Sequence, residues 1–288
     1  MNKEEFIKEV KNSNLCPNEF DKIYGEFNFF QDKAYETLIE LHKVCEKNGI
    51  IYELAFGSLL GLIRDGGQIP WDYDVDVIVP FSERKKLVDA LEKDLNEKFY
   101  YYAIENNKNC RHMIIRLAPK GFKSESLHVD IFFFCGTPNN EEERIMFCEK
   151  IRKISKTRFY KKVNIIENSR KRIKRILFLT ANRIRCLFYN NNKLLNDYYY
   201  LCNQYNPFES DIVACADGFA SETQFESKYL WETILLNDEK GNEFRIPKHY
   251  EKILIDHYGN YKELFPLGDR INEVLVHYSK LKSQNEIK

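Results

Sequence analysis

Phe56-Gly57-Ser58-Leu59-Leu60-Gly61-Leu62-Ile63-Arg64 and, after Asp65-Gly66-Gly67-Gln68, the stretch Ile69-Pro70-Trp71-Asp72-Tyr73-Asp74-Val75-Asp76-Val77 hold most of the chemistry this chain offers. Residues 50–56 read as a short β-type run, Gly57-Ser58 opens a short helical segment ending near Arg64, and the Gly-Gly and Ile-Pro of 65–71 are loop chemistry. Residues 74–79 alternate acid and apolar side chains before Pro80 ends the strand. Residues two apart on a strand share a face, so Asp74 and Asp76 point the same way, joined by Asp72 if the strand starts early. Carboxylates so placed repel one another unless a cation neutralises them. Mg²⁺, with Mn²⁺ as a substitute, is suited to neutralising them, since it prefers oxygen and binds through one or two carboxylates plus substrate phosphates. The Gly57-Ser58 turn offers backbone N–H groups and a hydroxyl to a phosphate. Such a turn followed by a carboxylate pair is a layout for metal-dependent nucleotidyl or phosphoryl transfer. Gly-Ser alone is common, and Asp-x-Asp alone is usually a solvated strand or turn; the signal is their combination.

Working outward, Leu127-His128-Val129-Asp130-Ile131-Phe132-Phe133-Phe134 is an apolar strand carrying one acid. A buried acid needs a partner, and a shared metal site supplies one, with Asp130 as third ligand or as the base that takes the acceptor hydroxyl proton. Arg116 and His128 sit on strands near Asp130, but each reads equally as a solvent-facing or structurally paired residue and stays outside the expected site. Strands are expected over 111–117 and 127–134. A helix is expected over 30–48, with Leu38, Leu41, His42 and Cys45 at helical steps and Gly49 as its stop. Further helices are expected over 82–98 with Ser82 as cap, around 140–163, 168–189 and 193–205, and finally over 248–258, closed by Gly259.

The 288 residues are 43% hydrophobic and balance 44 Lys+Arg against 44 Asp+Glu, so a disordered chain is excluded and the length allows a sizeable core. No apolar run is long enough to span a bilayer, and the charged start MNKEEFIKEVKNSN does not read as a secretory signal, so a cytoplasmic protein is expected. The eight cysteines form no C-x-x-C pair or zinc-type cluster and read as buried free thiols. Charge is uneven along the chain: 144–193 holds sixteen Lys or Arg against two acids, Glu149 and Glu167. Within it, 169–188 mixes cations with Ile173, Ile176, Leu177, Phe178, Leu179, Ile184, Leu187 and Phe188. That composition suits a helix lying on anionic lipid, or one packing its apolar side on the core; a nucleic-acid role lacks any accompanying module. Tyr198, Tyr199, Tyr200, Tyr205, Phe208, Phe225, Tyr229 and Trp231 are dense enough for a quaternary-ammonium cage, although such density is more often core.

The two motif stretches closely resemble the signature of the LicD/fukutin family. Similarity extends to His128-Val129-Asp130-Ile131-Phe132, and near the C-terminus to Ile246-Pro247-Lys248-His249-Tyr250, Tyr258-Gly259-Asn260-Tyr261 and Pro266. The resemblance implies an α+β, nucleotidyltransferase-like mixed sheet flanked by helices, with a basic helical insertion. It divides the chain into a segment 1–29, a catalytic core 30–143, a basic helical region 144–205 and a C-terminal part 206–288 that completes the domain. It implies transfer of a phospho-alcohol from a CDP-activated donor to a hydroxyl of a glycan or lipid-linked oligosaccharide. Phosphocholine, carried to teichoic acid or lipopolysaccharide, is favoured by its frequency among bacterial members. By residue it implies metal-binding Asp74 and Asp76, a further catalytic aspartate at Asp130, and a phosphate-contacting turn at Gly57 and Ser58. Arg64 and Asp72 match positions that order the site or bind donor phosphates, and Trp71 would stack on a ligand or simply pack. A peripheral position on the inner face of the cytoplasmic membrane, through 169–188, would suit a lipid-linked acceptor. Two other readings stand beside this one: a metal-dependent nucleotidyltransferase using a nucleoside triphosphate, and a non-catalytic glycan- or membrane-binding scaffold.

Overall fold

The run 129–136 has no charged side chain but Asp130, a composition that suits a strand with neighbours on both edges and both faces covered. In the computed structural model, which describes residues 1–169, 172–218 and 223–284, this run is the centre of the sheet. The chain begins with α1 (Lys3–Lys11), the long α2 (Phe20–Asn48), β1 (Glu53–Leu54), α3 (Phe56–Asp65), β2 (Val75–Pro80) and α4 (Arg84–Asp94). Then follow β3 (Phe99–Tyr102), β4 (Ile115–Pro119), the central β5 (Val129–Gly136), α5 (Glu141–Lys162), α6 (Ile165–Ser169), α7 (Ile173–Cys186) and α8 (Asn191–Cys202). The remainder comprises β6 (Ile212–Cys215), β7 (Gln224–Glu226), β8 (Thr233–Asn237), β9 (Glu243–Pro247), α9 (Tyr250–Tyr258) and α10 (Leu267–Ser283).

Among the described residues the main sheet has seven strands in the order β1-β2-β5-β4-β3, with β6 pairing β5 past the end of β4, and β7 beyond β6. β2 and β5 run parallel, from Val75 opposite Val129 to Pro80 opposite Phe134, while the other pairings are antiparallel. β8 and β9 form a separate hairpin. A mixed sheet with helices against it is the α+β class expected. The helix that covers the core face is α2, whose Phe27, Phe30, Ala34, Leu38, Leu41 and Cys45 form one buried stripe at helical steps against β2, β4 and β5. Gly49 stops it at φ 59°, a left-handed conformation open to glycine without steric penalty.

Several elements depart from the sequence expectation. α2 starts at Phe20 rather than near residue 30, because Phe20, Tyr24 and Phe27 extend its buried stripe; with Phe6 and Val10 of α1 they join the common core. Asp74 lies just before β2, not in it. Ser82 falls in a 3₁₀ turn, Phe81–Glu83, instead of capping α4, which ends at Asp94. The expected β4 starts four residues later, at Ile115. The helix expected over 168–189 is resolved into α6 and α7; Arg170 and Lys171, two of its cations, lie outside the described residues. Short strands with few alternating residues, β3 and β6 to β9, were not legible, and neither was α10, whose Ile271, Val274 and Leu281 are buried in the core. All eight cysteines are free thiols, seven buried and Cys16 exposed, in keeping with their spacing.

Candidate active site

Register creates the site. The parallel pairing sets Asp76 of β2 directly opposite Asp130 of β5, and the antiparallel neighbour sets Arg116 of β4 opposite Asp130 on the other side. Directly paired residues share a face, so two acids and a guanidinium stand in a row across three strands. Two residues further along the same face, Phe132 meets the ring of Phe56 at 5.7 Å, and Phe56 meets His257 of α9 at the same distance. The start of α3 and the end of α9 therefore lie over the acidic face. Phe56 takes φ 47°, a left-handed conformation unfavourable for a bulky residue, where the chain turns from β1 into α3.

The expected phosphate turn is fastened to this row. Ser58 Oγ accepts a hydrogen bond from the Asp76 backbone N–H at 2.8 Å, and the Ala55 N–H donates to the Asp76 carbonyl at 3.1 Å. Gly57 lies so near Asp72 that a Cβ there would stand 3.1 Å from Asp72 Oδ2. At Gly61 a Cβ would stand 2.5 Å from the Gly67 carbonyl, so this second motif glycine lets α3 lie against its own following loop. That loop is held from α2: Tyr24 Oη donates to the Pro70 carbonyl at 2.9 Å, and Gln31 Nε2 donates to the carbonyls of Ile69 and Asp72. Asp72 Oδ1 accepts from the Asp74 N–H at 3.0 Å, turning the chain into β2. Gly57, Ser58, Asp72 and Asp74 line one narrow cavity together with Gln68 and Ile69.

Charge divides the row into two unlike halves. Burial, then the carboxylates of Asp130, Asp74 and Asp72, push the Asp76 carboxyl well above its usual range against the pull of Arg116. Burial and then Asp74 push Asp72 up to about 7. Burial works the same way on Asp130, but His128 and Arg116 outweigh it and hold that carboxyl well below the ordinary range. Arg116 Nε donates to Asp130 Oδ1 at 2.9 Å, and His128 Nε2 lies 3.2 Å from the same oxygen, which leaves Oδ2 for another partner.

Residues that the sequence pattern left outside the expected site complete the rim. Arg116, on β4 opposite Asp130, and His128, just before β5, are the first two, and their signal was positional: both were expected on strands near Asp130. Tyr258 of α9 stands near Asp76 and Asp72; burial and these acids push its hydroxyl up to about 12. From α10, the His277 ring meets Tyr73 edge-on at 4.8 Å, and Lys280 Nζ sits 5.5 Å from the same ring, facing Asp74 and Arg116. Arg64 and Trp71, expected either to bind a ligand or to order and pack the site, make contacts within the protein. Arg64 forks onto the buried Asp65, with Nη2 2.7 Å from Oδ2. Trp71 is buried between the guanidiniums of Arg64 and Arg270, 5.5 and 5.2 Å from its ring, and beside Phe6. Both support the loop from behind. The aromatic residues weighed as a cage pack in separate places: Tyr198 against Phe81, Phe225 against Phe134, and Trp231 against Phe208, with Tyr200 exposed.

The donor set is all oxygen on the acidic side, which matches a hard divalent cation. Among the described residues no three His, Cys, Asp or Glu side chains converge into a metal cage, so Asp74, Asp76 and Asp130 do not form a ready-made triad. What the row does offer is two carboxylates, one crowded by like charge. That fits Mg²⁺, which takes one or two carboxylates and fills its shell with water and substrate phosphate.

Residues 49–175, the span that holds the parallel acid pair and the glycine-serine turn, match the LicD/FKTN/FKRP nucleotidyltransferase domain. Over 248 residues the chain is 27% identical to the lipopolysaccharide cholinephosphotransferase LicD of Haemophilus influenzae, a match spanning 80% of this chain and 88% of that protein. The domain match holds Gly57, Ser58, Asp72, Asp74, Asp76, Arg116, His128 and Asp130. α9 and α10, which bring Tyr258, His277 and Lys280, lie outside it.

Proposed function

We propose that this protein is a transferase that moves a phospho-alcohol, phosphocholine foremost, from a CDP-activated donor to a hydroxyl of a cell-surface glycan or its lipid-linked precursor. The observation that carries this reading is the Asp76–Asp130 pair on adjacent parallel strands, bordered by Arg116 and His128, within the span that matches the family domain. The cholinephosphotransferase relative supports the choice of alcohol and of a glycan acceptor. In the transfer, the acceptor oxygen forms a bond to the phosphorus bearing the alcohol, the bond from that phosphorus to the CMP oxygen breaks, and the hydroxyl proton passes to solvent. Mg²⁺ held by Asp76 and Asp130, with Asp74 at hand, would offset the charge of the donor diphosphate. Arg116 and Lys280 present cations, and His128 a ring nitrogen, where a leaving phosphate gathers charge. Of the two roles considered for Asp130, ligand is the better match, because a carboxylate already held by Arg116 and His128 is a weak base.

The reading is tested by ³¹P NMR of the protein with Mg²⁺ and CDP-choline, CDP-ethanolamine, CDP-glycerol or CDP-ribitol, with and without glycan acceptors, using Asp76→Asn as control. CMP should appear from one donor and not in the variant. Full activity of Asp76→Asn would overturn the assignment of the acid pair; pyrophosphate released from a nucleoside triphosphate, with no CDP-alcohol turned over, would replace the reading with a nucleotidyltransferase.

A further inference from the structure

α7 wears its apolar residues on the outside. Leu179 and Cys186 are buried, yet Ile173, Leu177 and Ile184 are 73%, 65% and 55% exposed, and Phe188, just past the helix, is 91% exposed. At 100° per residue, Ile173, Leu177 and Ile184 fall in one stripe turned away from Leu179 and Cys186. Single exposed apolar residues are ordinary, but a stripe of large ones marks an interaction surface. α7 thus packs one side on the protein through Leu179 and Cys186 and leaves a second, apolar side exposed. Exposed Lys174 and Arg185 border one edge of the stripe, Arg172 and Arg175 are exposed as well, and α7 contains no acid.

We propose that α7 seats the protein on an anionic membrane surface, with Ile173, Leu177, Ile184 and Phe188 entering the interface and Lys174 and Arg185 resting on headgroup phosphates. Charge complementarity selects this occupant: cations beside an apolar stripe, with no acid to offer a basic partner, is the pattern of an interfacial helix. None of the described helices is long and apolar enough to cross a bilayer, so the contact is peripheral. Its position also suits the site. Phe178 of α7 meets Tyr160 of α5 at 6.1 Å, and the adjacent Phe159 meets His112 at 6.3 Å and the Arg111 guanidinium at 5.8 Å, on the stretch leading into β4 and Arg116. The surface is independent of which reaction the site performs.

Co-sedimentation of the full chain with vesicles tests it. Wild type should bind equimolar phosphatidylglycerol–phosphatidylcholine vesicles, bind phosphatidylcholine alone weakly, and lose affinity as salt rises. Leu177→Asp/Ile184→Asp and Lys174→Gln/Arg185→Gln should each weaken binding about tenfold or more with an unchanged far-ultraviolet circular dichroism spectrum. A Phe188→Trp reporter should shift its emission to the blue on binding. Equal binding to neutral and anionic vesicles, or by all variants, would overturn the proposal. So would a concentration-dependent dimer that Leu177→Asp abolishes, or tighter binding to duplex DNA than to the anionic vesicles.

Discussion

Asp76 is both the group on which the proposed chemistry turns and a source of strain in the fold. Its carboxyl is raised, by burial first and then by its acidic neighbours, so the folded chain holds its proton more tightly than the unfolded chain does. Stability therefore falls as pH rises from the ordinary carboxylate range through the folded pKa, and stays reduced above it. Asp76→Asn should raise stability at neutral pH by about 1 kcal/mol, read as a higher denaturation midpoint. Added Mg²⁺ should stabilise the wild type and leave the variant unmoved, and a variant less stable than wild type would contradict the crowding. Asp130 has the opposite sign: held low by His128 and Arg116 against burial, it contributes stability above the ordinary carboxylate range that is lost as pH falls through its folded pKa. Gly61→Ala should cost about 1–3 kcal/mol in a chemical denaturation series, because the new methyl meets the Gly67 backbone carbonyl rather than a side chain that can swing away. The alternation of Asp74 and Asp76 was legible from sequence, since period two is a local property. That Asp76 and Asp130 stand abreast was not, because the register of a parallel pair is fixed by everything between its strands.

α10 shows how a helical pattern can be present in a sequence and still be masked by its neighbours. Ile271, Val274 and Leu281 sit at helical spacing after Pro266, the last residue of the family-like pattern; in the fold Pro266 immediately precedes the helix, where its lost N–H is harmless. The consequence reaches the site, since α10 carries His277 and Lys280 to Tyr73 and Asp74. Lys280→Ala should lower kcat/KM for the donor roughly tenfold in steady-state CMP-release assays, the usual effect of losing one charge-assisted contact to a phosphate. An unchanged kcat/KM would leave Lys280 with a purely structural place beside Tyr73. α2 has the complementary duty: its Tyr24 and Gln31 tie down the loop that carries Trp71 and Asp72. Those ties join residues 46 and 41 positions apart, a separation that no local periodicity reports.

Across the whole molecule, neutrality conceals a division between an acidic centre on the sheet and a cationic helical region between β5 and β6. The bias in composition was visible in the chain; which side of α7 faces outward was not, because both its faces carry apolar residues and only tertiary packing chooses between them. The same dependence on long-range structure governs the acid pair. Asp76 and Asp130 become neighbours only when β2 and β5 close in parallel around α4, β3 and β4. Pairings so distant along the chain are slow to form, since a large loop must be ordered before any contact rewards it. A nascent chain that has emerged only through β2 thus carries Asp74 and Asp76 without their opposite carboxylate, and a proteolytic fragment ending before β5 never acquires it. The pair that we propose grips a nucleotide donor is therefore born with the tertiary fold, and a half-made molecule lacks it.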